Sequence, residues 1–202
     1  MLEKMILNNF IIISLILLLS SCFFIAYGNG FNMTKFSDPF QRLNFSYPSN
    51  LNIQYEQNIN NNSNSSILYF PVNNSKYNTT FIEIQGTPLY NLSLKDHVFK
   101  DINSYISKYL RGDFISFRIN NIDSNLSIDK SPAYKTEYRV ILNDTFQNPV
   151  IISNYYTTDK ERDIFYKLKF SEGGYSSNLF NDNTTKGIIG SFTLNTQNNT
   201  ID

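Results

Sequence analysis

Leu94-Lys95-Asp96-His97-Val98-Phe99-Lys100-Asp101-Ile102-Asn103-Ser104-Tyr105-Ile106-Ser107-Lys108-Tyr109-Leu110 is the stretch that decides the fold. Leu94, Val98, Ile102, Tyr105, Ile106 and Tyr109 recur at spacings of three and four, which predicts an amphipathic helix with one apolar face. Ser93 with Asp96 makes a capping-box start, and Gly112 supplies the stop, since only glycine enters the left-handed conformation at a helix end without steric cost. One such helix cannot bury its own apolar face, so it must lie on a sheet.

The residues on either side supply that sheet. Ahead of the helix, Leu43, Phe45 and Tyr47 alternate with polar residues, as do Leu51, Ile53 and Tyr55. The Pro48-Ser49-Asn50 turn between them predicts a hairpin. Residues 58–66 are almost entirely Asn and Ser and read as a loop too polar to pack. They lead into a strand at Ile67-Leu68-Tyr69-Phe70, a second polar loop at 73–78 and a strand at Thr80-Phe81-Ile82-Glu83-Ile84. After the helix, residues 114–119, 133–142, 150–157 and 164–170 read as four strands of an antiparallel meander. Tyr134, Tyr138, Tyr155, Tyr156, Phe165 and Tyr166 load it with rings that read as core, their hydroxyls reaching water. Residues 177–194 read as a weaker closing helix, broken at Asn181-Asp182-Asn183. The fold class is α+β, with an antiparallel sheet of about six to seven strands covered by helices.

The chain has 202 residues, and residues 10–27 carry no charge and follow a short head with Glu3 and Lys4, as an export signal does. Ala26-Tyr27-Gly28 offers a signal-peptidase site and Leu19-Ser20-Ser21-Cys22 a lipobox-like one. The first is preferred because Phe23, Phe24 and Ile25 follow the cysteine, where a lipidated cysteine opens a polar tether. Retention as an anchor is the third outcome, since 18 apolar residues sit at the lower limit for spanning about 30 Å of hydrocarbon. Residues 1–28 are thus a signal peptide or membrane anchor, 29–37 a polar tether, 38–195 one domain and 196–202 a disordered tail. The domain is expected outside the cytoplasm, secreted or held at the outer face of the membrane.

Cys22 is the single cysteine and lies in the leader, so the mature domain has no thiol chemistry. Asparagine is heavily used, and Asn32, Asn44, Asn61, Asn64, Asn73, Asn78, Asn91, Asn125, Asn143, Asn183 and Asn198 each open an N-x-S/T acceptor pattern, so they are the candidate glycosylation sites.

Two short motifs resemble a known family. Phe45-Ser46-Tyr47-Pro48-Ser49-Asn50-Leu51 looks like the opening strand and turn of PsbP-like domains, where a Trp commonly stands at the position of Leu51. Ile188-Ile189-Gly190-Ser191-Phe192 is similar to the closing helix of that family. The resemblance spans about residues 36–195 and implies an α-β-α sandwich. That fold is shared by the extrinsic photosystem subunit, a nuclear-transport factor that binds a small GTPase, and many exported prokaryotic proteins. Their functions are unrelated, so the resemblance implies no particular activity. No metal-linked or docking residue of the photosynthetic members has a matching motif in this chain.

His97, the one histidine, has Ser93 four residues before it and Asp101 four after, which fits a surface hydrogen bond. No G-x-S-x-G supplies a nucleophile for it. One histidine and no mature cysteine leave no soft-metal set. Asp123-Ser124-Asn125-Leu126-Ser127-Ile128-Asp129 alternates oxygen side chains as a calcium loop begins, but Ile128 sits where glycine is needed, so it reads as a polar turn. Glu83, Glu137 and Asp163 are carboxylates from which a hydrolytic pair could be assembled. Arg111-Gly112-Asp113 spells an adhesion tripeptide but falls where a helix stop needs glycine, and Gly173-Gly174 is a turn. Seventeen Lys plus Arg balance seventeen Asp plus Glu, and the basic residues are dispersed, which leaves no footprint for nucleic acid.

The sequence is therefore read as a non-enzymatic extracytoplasmic accessory or binding module at the cell surface. No catalytic, cofactor-binding or metal residue is assigned. Its partner is an unknown protein or small molecule, with the membrane added where the leader is uncleaved. The alternatives are a structural envelope-associated glycoprotein and a hydrolase working with carboxylates alone.

Overall fold

The computed structural model describes residues 32–38, 43–49, 54–60, 63–69, 80–143, 149–173 and 182–194. These hold ten strands in two antiparallel sheets and two helices. In chain order the elements are β1 (Met33–Asp38), β2 (Leu43–Pro48), β3 (Gln54–Asn60), β4 (Ser63–Tyr69), β5 (Phe81–Pro88), α1 (Leu94–Leu110), β6 (Phe114–Ile128), β7 (Ser131–Leu142), β8 (Pro149–Asp159), β9 (Ile164–Gly173), α2 (Asp182–Gly190) and β10 (Thr193–Leu194). The large sheet runs β3-β4-β5-β9-β8-β7-β6 and the small one β1-β2-β10.

The meander read after the helix is β6 to β9, and β9 joins it to β5. Strand alternation sends successive side chains to opposite faces, and β8 shows the result. Val150, Ile152 and Tyr156 pack with α1, whereas Tyr155 packs with β2 and α2. Leu68, Ile82, Ile84, Tyr166, Leu168 and Phe170 fill the second face against Leu43, Phe45, Tyr47, Ile188 and Phe192. Both faces of the sheet are therefore covered over its central strands, with α1 on one side and α2 with the small sheet on the other.

Helix α1 has the bounds that its periodicity predicts. Ser93 is the N-cap, its Oγ accepting from the Asp96 N–H while the Asp96 carboxylate accepts from the Ser93 N–H. At the other end Gly112 N–H donates to Tyr109 O at 3.0 Å and Asp113 N–H to Lys108 O at 3.0 Å, with Gly112 at φ +83°. This is the Schellman stop, so the Arg-Gly-Asp tripeptide is punctuation here.

Four readings of the sequence are corrected. Leu43–Pro48 does not form a hairpin with the next strand: β2 pairs with β1 and β10 in the small sheet, and β3 belongs to the large one. The polar stretch 58–66 is not a loop, because β3 and β4 pair from Gln54↔Tyr69 to Asn60↔Ser63. Backbone ladder bonds do not depend on apolar side chains, and β4 is fixed by β5 on its far side. The tether 29–37 ends inside structure, since Met33–Asp38 is β1. The residues read as a polar turn at 123–129 continue β6 as far as Ile128, and the turn is Asp129-Lys130, both at positive φ, of 47° and 64°. Residues 51–53, 70–79 and 177–181, the leader and the tail lie outside the described residues.

Gly112→Ala is expected to lower stability by about 1 kcal/mol through backbone strain alone, because nothing lies within 4 Å of the added Cβ. Thermal melting checks it, with Gly190→Ala as the control. Gly190 also has open space around it, and its φ is not in the left-handed region, so its Tm should hold or rise.

Candidate functional site

The histidine and the carboxylates singled out from sequence fall in three places. His97 is buried, with 8% of its surface exposed. Its Nε2 lies 3.0 Å from Leu89 O, and its ring stacks on Phe165 at 4.4 Å. The expected surface hydrogen bond with Asp101 or Ser93 is thus replaced by a packed role that fixes the start of α1 to β9. Glu83 faces α1 and pairs with Lys169 at 3.2 Å. Glu137 pairs with Lys135 at 3.4 Å on the opposite face of the sheet, since its partner on β8 is Ser153 rather than Asn154. Asp163 sits exposed in the β8–β9 turn at φ 55°. The fold does not bring these three carboxylates together.

Nor do Asp123 and Asp129 converge on an ion. Asp123 accepts from the Asn125 N–H at 2.9 Å, and Asp129 from the Leu194 N–H at 2.9 Å, which ties the β6–β7 turn to β10. Among the described residues no three His, Cys, Asp or Glu side chains cluster as a metal set.

The polar constellation that the sequence did not reveal lies beneath α1. Asp101 takes Lys167 Nζ at 2.6 Å and the Tyr156 hydroxyl at 2.8 Å, and Asn154 Nδ2 stands 3.3 Å away. The Tyr156 oxygen in turn accepts from Asn154 Nδ2 at 3.0 Å and lies 2.9 Å from Thr136 Oγ1. The register explains the meeting: Thr136, Asn154 and Lys169 are opposite one another on β7, β8 and β9, with Glu83 next on β5. One charge of each sign meets at Asp101, and every donor aimed at it is satisfied, so the cluster orients α1 rather than activating a group. Removing one partner of a buried pair costs more than the pair contributes.

Burial pushes the Tyr138 hydroxyl up to about 12 from its ordinary 10.0, and burial followed by the charge of Asp101 pushes Tyr105 and Tyr156 up further. Burial pulls the Lys169 amine below its usual 10.5, with Glu83 opposing.

Apolar side chains are also left exposed around the end of α1. Helix α1 crosses the sheet obliquely. Asp101 reaches β9, Tyr105 meets Tyr138 of β7 at 4.6 Å, and Tyr109 meets Phe117 of β6 at 6.3 Å. The sheet ends at β6, and the last turns of the helix lie against this edge strand. Ile106, Tyr109 and Leu110 stay 36%, 43% and 78% exposed, and β6 adds Ile115, Ile119 and Ile122. The apolar face inferred from periodicity is thus correct at Val98, Ile102 and Tyr105 and displaced at Ile106 and Tyr109. Among the described residues no helix is long and apolar enough to cross a membrane.

Of the asparagine acceptors, Asn32, Asn91, Asn125, Asn143 and Asn183 are exposed, and Asn44 is half-buried on the central strand of the small sheet. Asn143 Nδ2 donates to Gly112 O at 3.0 Å. Asn64 lies on β4, and Asn61, Asn73, Asn78 and Asn198 fall outside the described residues.

With this geometry in place, the comparison with known proteins concerns the fold. No protein-family profile and no curated protein sequence matches the chain. Among solved structures it is similar to cyanobacterial PsbP (CyanoP) from Synechocystis sp. PCC 6803, with 15% identity, a TM-score of 0.55, and coverage of 83% of this chain and 96% of that one. It is also similar to the Ran-binding protein Mog1p of Saccharomyces cerevisiae, with 6% identity, a TM-score of 0.53, and coverage of 82% and 96%. The class defined is an α+β domain with the PsbP-like and Mog1-like fold, as the two terminal motifs implied.

Asp101→Ala should cost about 2–3 kcal/mol, since Lys167 and the Tyr156 hydroxyl lose their acceptor, and Asp101→Asn should cost less because an acceptor oxygen is kept. Urea titration of both variants measures the difference. Alkaline pH gives a second readout. Between pH 10 and 12 the unfolded tyrosines shed protons that the folded ones keep, so stability falls as pH rises through that window. Lys169 acts in the opposite sense up to pH 10.5 but is one group against three. Tyrosinate absorbance should therefore lag for the buried rings and complete only as the protein unfolds.

Proposed function

We propose that this chain is a non-enzymatic binding module that works outside the cytoplasm at the cell surface, exported by its leader, and that it docks a protein partner through the C-terminal end of α1. The single observation that carries the reading is that the carboxylates beneath α1 are already paired, Asp101 with Lys167 and Glu83 with Lys169, whereas Tyr109 and Leu110 at the end of the helix stay exposed. Exposed aromatic and aliphatic side chains that cluster beside an ordered edge are what protein interfaces are built from. A Ran-binding protein with the same fold supports a protein rather than a small molecule as the partner.

The leader and the asparagine acceptors support the address. Asn32, Asn91, Asn125 and Asn183 are exposed and are the acceptors favoured for occupancy. Asn44 is disfavoured because it is hemmed in by β1 and β10. Cleavage after Gly28 releases the domain, and retention of the leader or lipidation at Cys22 holds it at the outer membrane face. The density of exposed acceptors also favours a second reading, an envelope glycoprotein whose glycans matter more than a docking surface.

A photo-crosslinking residue at Leu110, used in intact cells, distinguishes the two. The module gives one discrete adduct, reduced several-fold by Tyr109→Ser, while an envelope component gives a ladder of neighbours. Intact mass of the native protein tests the address: the expected species starts at Asn29 with added glycan mass, and an unglycosylated full-length species overturns it.

A further inference from the structure

Strand β6 is an edge of the large sheet, and among the described residues nothing pairs with its outer side. Natural edges of this length are guarded by lysine, proline, an inward charge, a bulge or a covering element. Phe114–Ile128 holds neither lysine nor proline and its charges are Arg118 and Asp123 alone, so its guards are three bulges, between Phe114 and Ser116, Ile119 and Asn121, and Asp123 and Leu126. Between them the strand reads Arg118-Ile119-Asn120-Asn121-Ile122-Asp123, which is self-complementary when a second copy is laid antiparallel about an axis between Asn120 and Asn121. Each Arg118 then opposes an Asp123, and each Ile119 an Ile122.

A regular strand could not use this register. Opposed residues of an antiparallel pair must point to the same face, and residues an odd number apart point to opposite faces. The bulge between Ile119 and Asn121 removes the conflict. It places Arg118 opposite Arg139 and Asp123 opposite Lys135, both on the face away from α1. It likewise places Ile119 opposite Tyr138 and Ile122 opposite Thr136, both on the helix face. The bulge thus gives the hexapeptide a two-fold pattern of facing that matches its two-fold pattern of charge. Ile119 and Ile122 are 37% and 47% exposed, and among the described residues neither Arg118 nor Asp123 belongs to an ion pair.

We infer that β6 is a homophilic edge, which takes a second copy of this chain in antiparallel register and joins two seven-stranded sheets across the bulge. This goes beyond the partner reading, which concerns the end of α1, and the two can fail separately.

The test is sedimentation equilibrium of the full chain in mild detergent. The wild type should dimerise, and Arg118→Asp or Asp123→Arg alone should weaken dimerisation by about tenfold or more, since each places like charges opposite one another twice. Mixing the two single variants should restore the dimer, because one then carries two acids and the other two bases at those positions. The double variant R118D/D123R should also dimerise as the wild type does. A wild type that stays monomeric up to about 0.1 mM, roughly −5.5 kcal/mol of association or weaker, overturns the inference. So do single variants that dimerise unchanged, or a mixture that is not restored. The Leu110 crosslink should persist in every variant, which separates this result from failure of the proposed partner.

Discussion

The large sheet is apolar on both faces, and everything else in the domain follows from the need to cover both. β8 makes the constraint plain, with Ile152 and Tyr156 turned to α1 and Tyr155 turned to β2 and α2. Parallel sheets are the usual two-sided case, because their crossover helices cover both faces. Here an antiparallel sheet reaches the same end by inserting one long helix between β5 and β6 and by folding β1, β2, α2 and β10 onto the far side. A single helix cannot shield seven strands, so α1 lies obliquely over β9 to β6 and leaves charged pairs such as Glu83 and Lys169 beside it. The helix ends against the last strand with Ile106, Tyr109 and Leu110 still exposed. Exposed helix end and charged flank are both consequences of covering a wide sheet with one narrow cylinder.

Legibility from sequence tracks how locally each element is determined. The bounds of α1 could be read because capping box, periodicity and glycine stop all lie within about one helix length of one another. The meander could be read because alternation and turns are local too. The β3–β4 hairpin could not, since its Asn and Ser side chains carry no apolar alternation to mark them as strand. Partner choice for β2 was equally hidden: Leu43, Phe45 and Tyr47 announce a buried face, yet nothing in them says that β10 will lie alongside. His97 illustrates the same limit on one residue. Its helical neighbours suggested a surface bond, while the stacking on Phe165 comes from a strand 68 positions later. The Asp101 cluster draws on three strands and one helix and has no sequence motif at all.

Asp101 also shows why a charged group is kept under a helix. Burying a carboxylate is unfavourable unless it is paired and hydrogen-bonded, and here Lys167 and the Tyr156 hydroxyl meet both conditions. An apolar replacement could contribute as much stability. It would not fix how far α1 slides along the strands, because apolar contacts at neighbouring positions are nearly interchangeable, whereas a carboxylate at 2.6 Å from an ammonium has one place to sit. The position of α1 decides which of its residues stay exposed beside β6. Through that geometry a buried ion pair sets the composition of an exposed surface.

The two motifs that carried the family resemblance lie near opposite ends of the domain, and in the fold they touch. Ser46 N–H donates to Ser191 Oγ at 2.8 Å, Ser191 Oγ donates to Ile188 O at 2.8 Å, and Phe45, Ile188 and Phe192 share one core. The sheet interior asks only for apolar residues of suitable volume, which many sequences supply. Closing the chain ends over the far face asks for more. A small hydroxyl must reach a strand backbone from a helix terminus, and an aromatic must follow it immediately into the core. That requirement explains how a fold can stay recognisable from a dozen residues when identity to solved structures of the same fold is 15% and below. The same argument separates fold from function in this chain, since the recognisable residues close the core while the exposed ends of α1 and β6 lie elsewhere and are free to differ.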